Sequence, residues 1–449
     1  MAQSADKPVD RIEQLNQALT SGTYVQVKRM LGSLPPADIA HLIESLPPGP
    51  RTVLWQLIDS EDEGEVLQYL ADDVLTDFLK QFSSEELATM MDGLDTDDIA
   101  DMLQQLPDTV TREVLANMDQ QDRQRVERVL SYPEDTAGGL MNTDTISVRP
   151  NISVDVVMRY LRRHSELPEM TDNLFVVNRK EELVGLLPLR KLLLADLSLT
   201  VREIMSTDFT AIPADMTDIE VANLFQRQDW VSAPVVDEQG KLLGRITIDD
   251  VVDVIREEAE HSLMSMAGLD EEDTYAPVLR SVRSRAPWLA VTLLTSFLAA
   301  SVISLFEDAI DQIVALAVLM PIVANMGGVS GSQTLTLVIR AMALGHLSKD
   351  STRWVLRREA IVGLCNGAIF AGLVATAAGL WFGDWRISAI IAAAMMINLM
   401  CAATAGAAIP LLLKALRIDP ALAGNMALIT ITDVVGFSTF LGLATVFLL

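Results

Sequence analysis

Past residue 287 the polar punctuation of the chain thins out. Five apolar runs follow, at 288–306, 313–339, 360–382, 387–413 and 420–449. Each is long enough to cross a hydrocarbon core, which takes about 20 apolar residues. Upstream the pattern changes to short stretches with apolar residues at helical spacing, and these repeat. LPPADIAHLIESLP from Leu34 returns 60 residues later as LDTDDIADMLQQLP from Leu94. The spacing predicts a small all-helical array over residues 1–130, with Asp38 and Asp98 in N-terminal cap positions.

A second repeat follows, opening on MNTD at 141 and MSTD at 205. Each copy runs through a short apolar stretch, an amphipathic helix (VDVVMRYLRR or DIEVANLFQR) and a strand (NLFVV or SAPVV). A polar turn, a second strand near Gly185 or Gly244 and another helix complete it. The pattern predicts two β-α-β-β-α units.

Charge divides the chain at the same place. Of 61 acidic and 34 basic residues, 8 and 11 lie from Thr274 onward, leaving 53 and 23 before it. The front part therefore carries a formal −30 and the back part +3. So acidic a surface disfavours nucleic acid and anionic lipid and favours cations, although many soluble domains are simply acidic. Only Cys365 and Cys401 occur, both in apolar runs, so neither a disulfide framework nor a thiolate metal site is expected and a reducing compartment fits. MAQSADKPVDRIEQ lacks a basic region followed by an apolar core, so no secretory signal is expected there.

Basic residues near the runs orient them. Arg280, Arg283 and Arg285 precede the first; Arg340, Lys349, Arg353, Arg357 and Arg358 lie between the second and third; Lys414 and Arg417 lie between the fourth and fifth. The alternate loops carry Glu307, Asp308, Asp311, Asp384 and Arg386. The positive-inside rule places the acidic front part in the cytosol and the C-terminus outside.

Within the expected spans the only charge is Asp433, in LITITDVVGFSTF. An ionised carboxylate at mid-membrane costs several kcal/mol unless paired or hydrated, and such residues mark ion paths. The plainer reading is a protonated Asp bonded to a carbonyl. Asn425 lies eight residues before it, about 12 Å along a helix on a similar face, and Gly436 follows within a turn. Amide, carboxylate and backbone oxygen form a hard-cation set. The second run, PIVANMGGVSGSQTLTLVIR, places Pro321, Gly327, Gly328 and Gly331 among Asn325, Ser330, Ser332 and Gln333. Its glycines permit either close helix approach or a break that exposes carbonyls. Asn325, Asn366, Asn398 and Asn425 each stand ready for an interhelical hydrogen bond.

After the second β-α-β-β-α unit comes DDVVDVIREEAEHSLMSMAGLDEED. As a helix it puts Asp250, Asp253, Glu257 and Glu260 on one face with Glu258 beside it. That face is either a solvated acidic surface or a cation site.

The order of helical repeat, paired units, acidic linking helix and five spans resembles the MgtE family of magnesium transporters. The paired units resemble tandem cystathionine-β-synthase-type (CBS) modules. PIVANMGGVSGSQ and ALITITDVVGF are the matching membrane motifs, with Val329 and Ser332 standing where relatives often carry amides. The resemblance implies an all-α cytosolic domain (1–132), CBS modules (133–200 and 201–256), a connecting helix and linker (257–283) and a five-span α-helical pore domain (284–449). It implies a homodimer in a bacterial inner membrane, with Mg2+ in the pore at Asp433, Asn425 and Gly436. Cytosolic Mg2+ at Asp250, Asp253, Glu257, Glu258, Asp419, Asp98 and Asp229 would close the gate. His261 and Ser262 stand where relatives often carry acids. ATP is a further ligand it implies: in GRITIDD, Thr247 and Asp250 fit the family's nucleotide pattern, which GLLPLRK in the first module lacks. Two other readings remain: a proton- or sodium-coupled carrier using Asp433, and a membrane-anchored enzyme. Against the last, the chain contains no P-loop, nucleophile–base pair or metal-hydrolase motif.

Overall fold

A computed structural model describes residues 24–164, 167–269, 275–343, 347 and 349–449. The opening MAQSADKPVDRIEQ, the acidic end of the linking segment at 270–273 and most of the 344–348 loop lie outside the described residues. Two compact units divide the chain: Met1–Ala259 with Asp273–Tyr275, and Glu260–Glu272 with Ala276–Leu449.

The first unit opens with nine short helices among the described residues: α1 (Tyr24–Leu31), α2 (Pro36–Glu44), α3 (Pro48–Trp55), α4 (Glu63–Gln68), α5 (Asp72–Leu79), α6 (Ser84–Met90), α7 (Thr96–Gln104), α8 (Asp108–Asn117) and α9 (Gln120–Val129). None is long enough to hold itself together in water, so stability comes from their shared apolar face. Ile39, Ile43, Leu54, Phe78, Leu79, Leu87 and Leu103 form that core, with the Trp55 and Phe78 rings 4.7 Å apart. The caps fall earlier than the sequence pattern predicts. Pro35 and Asp95 take the extended cap conformation before α2 and α7, leaving Asp38 and Asp98 in the first turn. There a carboxylate faces the positive end of the helix dipole without capping it.

The two β-α-β-β-α units follow as predicted. β1 (Ser147–Val148), α10 (Val154–Leu161), β2 (Asn173–Val177), β3 (Leu183–Pro188), α11 (Leu189–Leu194) and α12 (Val201–Ile204) build the first. β4 (Ile212–Pro213), α13 (Asp218–Gln228), β5 (Ser232–Val236), β6 (Leu242–Thr247) and α14 (Ile248–Met266) build the second and lead out of it. In both sheets a parallel pair adjoins an antiparallel one, in the order β1-β2-β3 and β4-β5-β6. The parallel pairing requires the helical crossover that α10 and α13 supply. Ala100 of α7 and Val129 of α9 share a core with Ile212, Phe225, Val235, Ile246 and Val251, so the helical array is docked on the second module.

The second unit holds five helices long and apolar enough to cross a membrane, as predicted. They are α15 (Val278–Ser304), α17 (Ala315–Ala343), α18 (Lys349–Phe382), α19 (Trp385–Ala415) and α20 (Pro420–Leu448), with the short α16 (Glu307–Gln312) after the first. α18 starts well ahead of its apolar run because Leu, Arg and Glu extend a helix readily, so Arg353, Arg357 and Arg358 ride the helix instead of a loop. It also carries Glu359, a buried carboxylate that the sequence pattern places outside the span. Glu359 accepts from the Thr334 hydroxyl of α17 at 3.1 Å and pairs with Arg358. α19 is the most enclosed helix, with Ile391, Ala394, Met395, Asn398, Leu399 and Ala402 fully buried. α17 runs unbroken through its glycines. Of the two readings, close approach holds: Gly327 abuts Asn398 and Gly331 abuts Leu428.

Candidate functional site

Two constellations carry chemistry, one in each unit. In the membrane unit, α17 and α20 wall a cavity of about 730 Å3, broadly open on one side. Its polar lining is Asn325, Ser332, Gln333, Thr336 and Asp433, with Gly328 leaving open space and Val329 and Ile429 supplying apolar wall. No base lines it. Helical periodicity explains the α17 face, since residues 325, 328, 329, 332, 333 and 336 recur at spacings of three and four.

The three expected pore residues separate. Asp433 lines the cavity. Asn425 stands behind the lining, where its Oδ1 accepts from the Ser332 hydroxyl at 2.9 Å. Gly436 is buried against Asn398, facing α19. Within the continuous α20 the Gly436 carbonyl belongs to the helix ladder. Asn398 makes an interhelical bond of its own, from Nδ2 to the Val323 carbonyl at 2.8 Å.

In the first unit, Asp95 at the cap of α7 and Asp97 and Asp98 in its first turn have ligand oxygens that all lie within 4.8 Å of one another. At that separation two unit charges repel by ~3 kcal/mol at an effective dielectric of about 20. Asp97 is 6% exposed, and its Oδ1 has no hydrogen-bond partner. Such an orphan oxygen costs free energy unless a proton or cation meets it.

α14 adds to the group. Asp250 accepts from the Thr247 backbone N–H at 3.2 Å and from its hydroxyl at 3.0 Å, and a further bond joins Thr247 to Asp249. Loss of water, then Asp250, Asp98 and Asp95, hold Asp97 well above the ordinary carboxylate range. The same causes raise Asp98 to about 7, with burial first and then Asp250, Asp95, Asp249 and Asp253. Asp250 is raised to about 7 by burial and then Asp249, against the opposing pull of Thr247. Asp253 is raised by burial, with Arg256 opposing. Asp101 is exposed on the surface of α7, yet loss of water and then Glu134, Asp98, Asp250 and Glu257 raise it to about 8.

The structure thus brings Asp98, Asp250, Asp253 and Glu257 into one field, with Glu258 half-buried next to Glu257 on α14. Asp229 is not drawn into this field. It closes α13 in a left-handed conformation (φ 51°) and is not among the charges that act on Asp98 or Asp250. Asp419 belongs to the membrane unit, where its Oδ1 caps α20 and its Oδ2 lies 3.7 Å from His261 Nε2. Asp95, Asp97, Asp101, Asp249 and Glu134 join the field unexpectedly. The available signal was the run DTDDIAD at 95–101, which a helix folds onto little more than one turn and a half.

Mg2+ is small, keeps several of its waters, and is commonly bound through one or two carboxylates. The Asp95–Asp97–Asp98 group, with Asp250 in its field, offers that donor set without thiolate or imidazole.

Known proteins resemble the chain over nearly its whole length. A family model described as a divalent cation transporter, MgtE, matches residues 320–443. The MgtE intracellular N domain model matches 34–135, and the CBS domain model matches 137–198 and 201–257. The chain is 32% identical over 440 residues to the magnesium transporter MgtE of Thermus thermophilus, covering 97% of this chain and 98% of that one. It is 28% identical over 431 residues to the magnesium transporter MgtE of Bacillus subtilis, covering 96% of each. It also resembles a solved structure, the cytosolic domain of the Mg2+ channel MgtE in complex with ATP, at 34% identity and a TM-score of 0.50, over 54% of this chain and 99% of that one. A docked helical array, paired CBS modules and five apolar helices, matched along nearly their whole length by these relatives, place the chain in the MgtE family of magnesium transporters.

Proposed function

We propose that the chain forms a homodimeric channel that carries Mg2+ into the cytosol of a bacterium and is closed by Mg2+ bound to its own cytosolic carboxylates. The observation that carries this reading is Asp433 in an open, largely apolar cavity that also carries Asn325, Ser332, Gln333 and Thr336, with no base among the described lining residues. A hydrated divalent cation supplies the missing countercharge, and a second copy of the chain facing the open side would double the carboxylate. The expected basic-side asymmetry orients the front part toward the cytosol.

The gate follows from repulsion. With its first turn docked on the second CBS module, α7 gathers carboxylates that repel each other until a cation or protons occupy them. Mg2+ would then favour the docked arrangement by binding it better than the separated one. In this reading residues 1–132 and 201–256 sense the ion, and 257–283 transmit its binding to the pore at 284–449. Asp419 and His261 lie at the membrane end of that transmission, within the second unit. ATP would bind at Thr247 and Asp250. Because Asp250 also sits in the carboxylate field, nucleotide and Mg2+ would act on one shared group.

The test is transport by the purified full chain in lipid vesicles. Mg2+ uptake should rise with an inside-negative potential and be indifferent to imposed pH or sodium gradients. Uptake that needs either gradient would instead make Asp433 the coupling site of a carrier.

A further inference from the structure

Asn398 is fully buried at the centre of the membrane unit. Its Nδ2–H donates to the Val323 carbonyl of α17 at 2.8 Å, while its Oδ1 has no hydrogen-bond partner. The Val323 carbonyl is also the one that a helix bonds to the N–H of residue 327, so Asn398 reaches an oxygen already in the ladder. It gets there because Gly327 has no side chain: a Cβ at that position would stand 2.4 Å from Asn398 Nδ2. The other side is arranged in the same way. A Cβ on Gly436 of α20 would stand 2.9 Å from the same nitrogen. One carboxamide on α19 therefore fills a notch on each of the two helices that wall the Asp433 cavity.

Both notches adjoin the cavity lining. On α17, Ala324, Asn325 and Gly328 flank Val323 and Gly327 and line it. On α20, Gly436 lies less than one turn from Asp433. Displacing either helix from Asn398 displaces a cavity wall. A carboxamide in hydrocarbon with an unmatched oxygen is unfavourable by itself, and a leucine or alanine would satisfy mere packing. What Asn398 adds is a directional bond that fixes the depth and rotation of α17 against α19, while its bulk sets the distance to α20.

We propose that Asn398 is a positioning residue for ion passage. It clasps α17 through Val323 and spaces α20 through Gly436, and so sets the width of the path in front of Asp433. This rests on the reading of that cavity as the ion path. A path of fixed width suits an ion that passes with its waters, and altering that width weakens discrimination against Ca2+, whose larger radius and flexible coordination tolerate a less exact fit.

The experiment uses the full-length protein in lipid vesicles, with Mg2+ or Ca2+ supplied outside. Gly436→Ala should cut Mg2+ uptake about ten-fold, equivalent to ~1.4 kcal/mol. Asn398→Ala should lower the Mg2+-to-Ca2+ uptake ratio about five-fold, a shift of ~1 kcal/mol in relative passage. The double variant Asn398→Ala with Gly436→Ala should recover at least half of wild-type uptake, because the added methyl enters the space the carboxamide vacates. If Gly436→Ala fails to reach the membrane, the same rescue is read on the yield of folded protein. Normal Gly436→Ala uptake, an unchanged ion ratio in Asn398→Ala, or a double variant no better than Gly436→Ala each overturns the proposal. An active Asp433→Ala would instead overturn the ion-path reading, and the methyl-for-carboxamide rescue on folded yield would still report the clasp.

Discussion

Replacing Asp433 with alanine is expected to bring Mg2+ uptake to the vesicle background, a loss of at least about 100-fold, or ~3 kcal/mol, while leaving yield and elution unchanged. The effect is large because the cavity has amide and hydroxyl dipoles but no other ionised group in its lining. Removing the carboxylate leaves dipoles alone to offset the cost of a divalent charge in a low-dielectric wall. Asp433→Asn keeps the shape and should fail almost as completely, which separates charge from geometry. Asp433→Glu should retain measurable flux. Ser332→Ala is a milder change: the hydroxyl bridges the cavity to Asn425, and its loss should lower uptake by a few-fold, on the scale of one neutral hydrogen bond. Near-normal uptake through Asp433→Ala would remove the carboxylate from the path.

The second large effect is on the gate, and acid should partly replace Mg2+. Asp98 and Asp250 rise from an ordinary 3.8 to about 7 in the docked arrangement, and Asp101 to about 8. The docked state therefore holds protons that the separated domains release. Its stability relative to separation is greatest at low pH and is lost as pH rises through about 7 to 8. Over the window from about 4 to 7, Asp98 and Asp250 each contribute up to ~1.4 kcal/mol per pH unit in favour of docking as pH falls, and the exposed Asp101 contributes less because water screens it. Mg2+ needs the deprotonated oxygens, so its half-saturating concentration should be lower at pH 8 than at pH 6.

Energy transfer between dyes on exposed positions of α8 and of the β5–β6 turn reports docking without a protease. In chelator the signal should be low at pH 8 and rise toward pH 6; at pH 8, Mg2+ should restore it. Asp97→Asn combined with Asp98→Asn removes two of the clustered charges and should leave docking largely independent of both. Equal transfer at pH 6 and pH 8 in chelator, or an unchanged Mg2+ response in that double variant, would contradict the electrostatic gate.

The legible part of this site was the part that one residue carries alone. Asp433 stands out because nothing else in its apolar run is charged. Asn425 and Gly436 were read from helical spacing along α20, and spacing fixes a face only approximately. Packing turned one toward Ser332 and the other toward Asn398. The acidic face of α14 was legible for a different reason, as a periodic run of like residues. Its partner was not, since nothing in the sequence says that α7 will dock on the second CBS module. That contact depends on Ala100 and Val129 joining an apolar core formed largely by residues of the second module, far along the chain.

Sequence alone determined what each segment must be. Apolar run length dictates five spans, period-3.6 and period-2 patterns separate the helical array from the paired modules, and an uncompensated intramembrane acid singles out one position. These are local properties, and local physics suffices for them. Tertiary structure decided which polar groups meet. It set Asn398 between two glycines from different helices, buried Glu359 against Thr334, and crowded Asp97, Asp98 and Asp250 until their ordinary acidity could not hold. Burial and charge proximity depend on neighbours brought together by apolar packing, and no stretch of chain carries that information by itself.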